Sequence, residues 1–150
     1  MQTFLPYSDF RQCAKVLDYK RLGKQRVEAM QILNCLTLLK QGGKNGWSQH
    51  NAVKMWVGYD SALGLYMNTM IDEWIKRGYN NTMKKSPLPN IFPPKMPEWM
   101  GDERIHSSHR ANLIRKLPDH YLQFGWTEDP ETGYWWPYRK RNGNWESYIY

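Results

Sequence analysis

The sequence predicts an all-α protein, a compact bundle of three long helices with a long proline-rich loop and an aromatic C-terminal tail. Two observations carry most of this. Apolar residues recur at three- and four-residue spacing in two stretches, Leu22–Ala29–Met30–Leu33–Leu36 and Leu63–Tyr66–Met67–Met70–Ile71–Trp74. Five of the nine prolines fall in 79–101, which reads as an irregular connection and not a strand.

Residues 1–7 read as extended, since Pro6 blocks an early helix. Ser8 is placed to cap a short helix ending near Val16. Asp18 is a second N-cap, with Leu17 and Leu22 spaced as a hydrophobic staple. The helix that follows should run to about Lys40, where Gly42-Gly43 ends it. A short helix over Asn51–Val57 stops at Gly58. Asp60 caps a helix to about Arg77, closed by Gly78. Asp102 caps the last helix through Lys116, which Pro118 stops. The tail, 125–150, alternates aromatics with turn residues, and a hairpin fits around Asn142-Gly143. The chain reads as a single domain, 1–150, and as a monomer.

Composition narrows the function. A chain of 150 residues with 41% hydrophobic content buries a core without disulfides or metals, and excludes global disorder. Cys13 and Cys35 sit among apolar helical positions and read as reduced core residues. The start, Met1-Gln2-Thr3-Phe4-Leu5-Pro6, has neither the basic nor the apolar stretch of a secretory leader, and no apolar run suits a membrane span; a cytoplasmic location is expected. Lys and Arg number 21 against 14 Asp and Glu, a net charge of +7, and aromatics make up 15%. Positive charge interleaved with planar rings favours polyanions, nucleic acid above all.

The segment Lys20-Arg21-Leu22-Gly23-Lys24-Gln25-Arg26-Val27-Glu28 is the most informative. Arg21, Lys24, Gln25 and Glu28 share one helical face. Cations at a helix start oppose its dipole, so helix stability does not explain them, whereas an anionic ligand does. Glu28, the only carboxylate there, stays ionised among cations and is placed to take a proton or stabilise a cation. A solvated charged face with a Lys24–Glu28 pair accounts for the same spacing equally well. Arg26 lies close to the apolar stripe, so it must snorkel or floor a polar pocket. His50, in Trp47-Ser48-Gln49-His50-Asn51, is either a pocket residue or a structural histidine. His106 and His109 share a helix face but lack a third ligand at metal spacing, and no cofactor is expected. Arg110, Arg115 and Lys116 suit phosphates. In the tail, Trp135, Trp136, Arg139, Lys140 and Arg141 combine stacking rings with cations.

These pieces together resemble the pyrimidine-dimer DNA glycosylase family of the bacteriophage endonuclease V type. The strongest stretch is Leu17-Asp18, Leu22 and Glu28-Ala29, similar to a long helix that carries the family's catalytic glutamate. A second runs from His50 through Tyr66 to Asp72-Glu73-Trp74 and Arg77-Gly78-Tyr79. The Lys-Arg-Leu-Gly-Lys-Gln-Arg string suggests a bacterial or phage branch.

The resemblance implies a glycosylase, with abasic-site lyase activity, acting on a damaged or modified base in duplex DNA. An N-terminal α-amine would attack the sugar and Glu28 would move protons. An α-amine is far less basic than a lysine, which suits it to attack at neutral pH. Gln2 disfavours removal of Met1, so the nucleophile would be the Met1 amine. The family's arginines beside the glutamate are replaced by Val27 and Gln31, leaving Arg21, Lys24, Arg26 and His50 to shape the site. Without the resemblance, the same residues fit a noncatalytic nucleic-acid-binding module.

Overall fold

The computed structural model describes residues 1–87, 89, 91–139 and 145–149, with the backbone alone for 138, 139 and 145–149. It is mostly helical. The elements are α1 (Phe10–Val16), α2 (Tyr19–Lys40), α3 (Asn51–Lys54), α4 (Asp60–Lys76), α5 (Glu103–Lys116), α6 (Pro118–Tyr121), a 3-10 turn over Leu122–Phe124, β1 (Trp135–Arg139) and β2 (Trp145–Ile149). The chain divides into two compact units. One holds Met1–Thr3 and Tyr19–Pro97, and the other Phe4–Asp18 and Glu98–Tyr150.

In the first unit α2 and α4 pack together. They run antiparallel, because Lys40 at the end of α2 pairs with Asp60 at the start of α4 at 2.9 Å, while Tyr19 at the start of α2 stacks on Tyr79 just past α4. The apolar stripe of α4 faces inward, with Leu63, Tyr66, Met67, Met70 and Ile71 buried. That of α2 is rotated from the expected one. The buried line is Leu22, Gln25, Ala29, Ile32 and Leu36 with Cys35, and Met30 is 37% exposed. An amide therefore occupies a core position that hydrophobicity alone does not identify. Gly42 ends α2 and Gly78 ends α4, both with left-handed backbone. Asp60 does not cap α4; Tyr59 precedes it, and Asp60 sits in the first turn, where it complements the dipole.

The proline-rich connection has no helix or strand among its described residues, and side chains hold it. Asn68 of α4 accepts the Ser86 N–H at 2.8 Å and donates to the Ser86 carbonyl at 2.9 Å, as a strand would. Gly64 lets this happen: a Cβ there would lie 2.7 Å from the Ser86 hydroxyl oxygen.

The second unit is built around α5. Asp102 caps it as expected, accepting from the Arg104 N–H at 3.1 Å. Asp9 and not Ser8 caps α1. Pro118 does not merely stop α5, because it opens α6 as its first residue. The tail forms an antiparallel pair with Trp135 opposite Ile149 and Arg139 opposite Trp145, so the described residues are mainly helical with one pair of strands; the expected Asn142-Gly143 turn lies outside the described residues. β1 docks on α5 through Trp135 N–H to Ser108 Oγ at 3.1 Å.

His106 and His109 explain their own spacing here. His109 Nδ1 accepts the Leu5 N–H at 2.8 Å, and His106 Nδ1 meets the Leu5 carbonyl at 2.7 Å. The Gly101 N–H donates to His106 Nε2, which leaves the hydrogen on Nδ1 to reach Leu5. Two imidazoles one turn apart thus satisfy both main-chain polar groups of one buried residue, Leu5. Burial pushes the His109 pKa down to about 3 and lowers that of His106. Cys13 and Cys35 are free and buried, and burial pushes the Cys13 thiol up to about 12, so it is inert.

Candidate active site

The first three residues are held against the middle of α2. The Gln2 N–H donates to Glu28 Oε2 at 3.2 Å, and the Gln2 carbonyl accepts from Gln25 Nε2 at 2.9 Å. Gln25 Nε2 also donates to Glu28 Oε2 at 3.0 Å, and Gln25 Oε1 accepts the Tyr66 hydroxyl at 2.6 Å. The Trp56 ring N–H reaches Thr3 Oγ1 at 3.0 Å. Segment 1–3 is thus bound to α2 and to the core aromatics, and Met1 and Glu28 are both half-buried beside it.

His50 belongs to the same neighbourhood. It precedes α3, and its Nδ1 accepts the Ala52 N–H at 3.0 Å, which places the hydrogen of the neutral ring on Nε2. Burial lowers its pKa most, the Met1 ammonium lowers it further, and Glu28 opposes both. The Met1 amine and the Glu28 carboxylate each lie close enough to the His50 imidazole for their charges to act on it. Arg21 and Lys24 lie on the Glu28 face of α2, half-buried and exposed respectively.

Arg26 is not brought to this group. Two residues of α-helix turn it about 200° from Glu28. Its guanidinium lies 4.3 Å from the Trp74 ring centre, and Nη1 donates to Asn81 Oδ1 at 2.7 Å. Desolvation there lowers its pKa. The Trp74 ring stacks on Tyr79 at 4.3 Å and packs over Gly23, whose missing Cβ would fall 2.9 Å from it. The glycine in the basic run thus makes room for a tryptophan that carries Arg26.

The cations expected on DNA divide in the second unit. Arg110 is committed internally: it donates to both Glu128 oxygens at 3.1 Å, to the Pro6 carbonyl at 2.7 Å, and to Glu103. Arg115 and Lys116 are exposed, and Arg115 donates to Asn112 and to the Pro130 carbonyl. Trp136 is 4% exposed and belongs to the core, so it presents no face for stacking. Trp135 is half-buried under Arg104, which stands 4.2 Å from its ring centre. The Arg139 side chain, Lys140 and Arg141 lie outside the described residues. Sequence reasoning missed Gln2, Tyr66 and the role of Gln25. The available signal was one uncharged polar side chain within the run of charges, at a spacing that continues the buried line from Leu22.

Fold and site define a small, basic, mainly helical protein that holds a carboxylate against the start of its own chain. The family model for pyrimidine dimer DNA glycosylase matches residues 1–87, more than half of the 150. The chain belongs to the pyrimidine dimer DNA glycosylase family, which makes it a DNA repair glycosylase with DNA as its substrate. No curated protein and no solved structure matches it. The matched stretch contains Met1, Gln25, Glu28, His50 and Tyr66. Among the described residues no group of three His, Cys, Asp or Glu side chains is arranged to hold a metal, and no helix is long and apolar enough to cross a membrane.

Proposed function

We propose that the chain is a DNA glycosylase with abasic-site lyase activity, in which the Met1 α-amine is the nucleophile and Glu28 the proton-transfer group. The observation that carries this reading is the 3.2 Å hydrogen bond from the Gln2 N–H to Glu28 Oε2, which ties the chain's first peptide to the acid. The amine lone pair forms a bond to the sugar C1′, and the glycosidic bond breaks with its electrons going to the base. The amine gives up its proton, the sugar ring opens, and an imine joins Met1 to C1′. Loss of a C2′ proton then expels the 3′ phosphate oxygen and cuts the strand, and water releases the protein. Glu28 relays these protons and stabilises the cationic imine.

The substrate is duplex DNA with a damaged or modified base, which must leave the stack to be reached. Arg21, Lys24 and His50 contact the nucleotide, and Arg115, Lys116, Trp135, Arg139, Lys140 and Arg141 hold the flanking DNA. The whole chain, 1–150, acts as one monomeric glycosylase domain in the cytoplasm. Arg26, Arg110 and Trp136 have structural duties instead. Borohydride trapping on abasic-site DNA tests the reading. A covalent adduct is expected with the native chain and is lost in Glu28→Gln, with DNA affinity retained. Binding without any adduct on abasic or dimer-containing DNA would leave a noncatalytic DNA-binding module.

A further inference from the structure

Gln25 takes no part in the chemistry just described, yet it is 1% exposed and joins Gln2, Glu28 and Tyr66. Its two amide ends are chemically different. Nε2 faces two acceptors, the Gln2 carbonyl and Glu28 Oε2, and Oε1 faces the Tyr66 hydroxyl. The reverse orientation would set Oε1 against a carbonyl and a carboxylate, so the surroundings select one. Glu28 Oε2 then receives two N–H groups, from Gln2 and from Gln25.

We propose, resting on the glycosylase reading, that Gln25 is a positioning residue which locks Glu28 Oε2 to the N-terminal segment and leaves Oε1 as the oxygen that exchanges protons. Tyr66 holds the amide in place from α4. A carboxylate with one oxygen fastened has a fixed direction for the other, which is what proton transfer to a bound sugar requires. The charged and titratable groups around Glu28 are the Met1 amine, Arg21 and Lys24 on α2, His50 before α3 and Tyr66 on α4. Substitution at Gln25 removes none of them, and of its bonds to them it changes the partner of the Tyr66 hydroxyl.

The test uses single-turnover imine trapping with the full chain against pH. Gln25→Glu keeps the shape but replaces a donor by a second carboxylate 3.0 Å from Oε2. Two carboxyl groups that close share a proton, so the acid limb of the rate profile should move up by roughly one pH unit or more. The rate deficit should be about tenfold at pH 6 and shrink toward pH 9, with DNA affinity unchanged. Tyr66→Phe keeps the ring and the charges. Its rate should fall severalfold with the acid limb unmoved, which keeps the test open if Gln25→Glu does not fold. A Gln25→Glu profile parallel to that of the native chain, or a Tyr66→Phe rate equal to native, overturns the proposal while the glycosylase reading stands. A native chain that forms no adduct overturns both.

Discussion

The Gln2 main-chain N–H donates to Glu28 Oε2 at 3.2 Å, so the second residue of the chain is hydrogen-bonded to the middle of its longest helix. The Met1 amine is one residue beyond that anchor. Any group added ahead of Met1 converts the amine to an amide, whose lone pair is delocalised and no longer nucleophilic. A variant with one extra N-terminal residue that resists processing should lose imine trapping by at least about a hundredfold. Its DNA affinity, measured by fluorescence anisotropy, should stay within about threefold of native.

Stability should depend on pH through the histidines that hold Leu5. The folded His109 pKa is about 3, against 6.5 in the free side chain. Between those values the unfolded chain binds a proton that the folded chain refuses. Stability is therefore complete above about pH 6.5 and is lost as pH falls toward 3. His106 shifts in the same direction and adds to the slope. Urea unfolding followed from pH 8 to pH 4 should show a decline below 6.5 of up to about 1.4 kcal/mol per pH unit for each histidine. A flat profile through that window would contradict the buried neutral assignment.

Gly23→Ala separates helix propensity from packing. Alanine gains roughly 1 kcal/mol in a helix interior. Its Cβ would meet the Trp74 ring at 2.9 and 3.0 Å. That ring is pinned by its N–H to the Asn80 carbonyl at 2.7 Å and by Tyr79, so it yields poorly. Packing should prevail, with a net loss of about 1–2 kcal/mol in chemical denaturation. Adding Trp74→Leu should make the same alanine neutral or stabilising.

Arg110 and its neighbours should part company in DNA binding. Arg110 is 12% exposed at its side chain and serves two carboxylates, so Arg110→Ala should cost about 3 kcal/mol of stability by stranding Glu128. Arg115→Ala and Lys116→Ala should each cost under about 1 kcal/mol of stability, yet each lower the slope of log affinity against log salt by about one. Affinity titrations at several salt concentrations, beside a melting curve for each variant, check both halves.

Much of the fold was legible because it is written locally. The stripe of α4, the Asp102 cap and the Gly42 and Gly78 stops act within one or two turns, and they stand where expected. Glu28 was legible as a lone carboxylate among cations. Gln25 was not, because an amide in the buried line earns its place only through Tyr66, 41 residues away. The internal partners of Arg26 and Arg110 were hidden for a related reason. A charge count does not reveal whether a cation faces solvent, an indole or a pair of glutamates.

The sequence by itself determined the Gly42 and Gly78 stops, the Asp102 cap, the inward face of α4, the positive charge and the presence of one acid in a basic helix start. These follow from backbone sterics and side-chain periodicity, which need no distant partner. Only tertiary structure decided that the chain's first residues lie against that acid, and which cations are already neutralised. Both depend on hydrogen bonds across 18 to 104 residues, such as Gln2 to Glu28, Arg110 to Glu128 and Arg110 to Pro6, and no local pattern records where a folded chain brings such groups together.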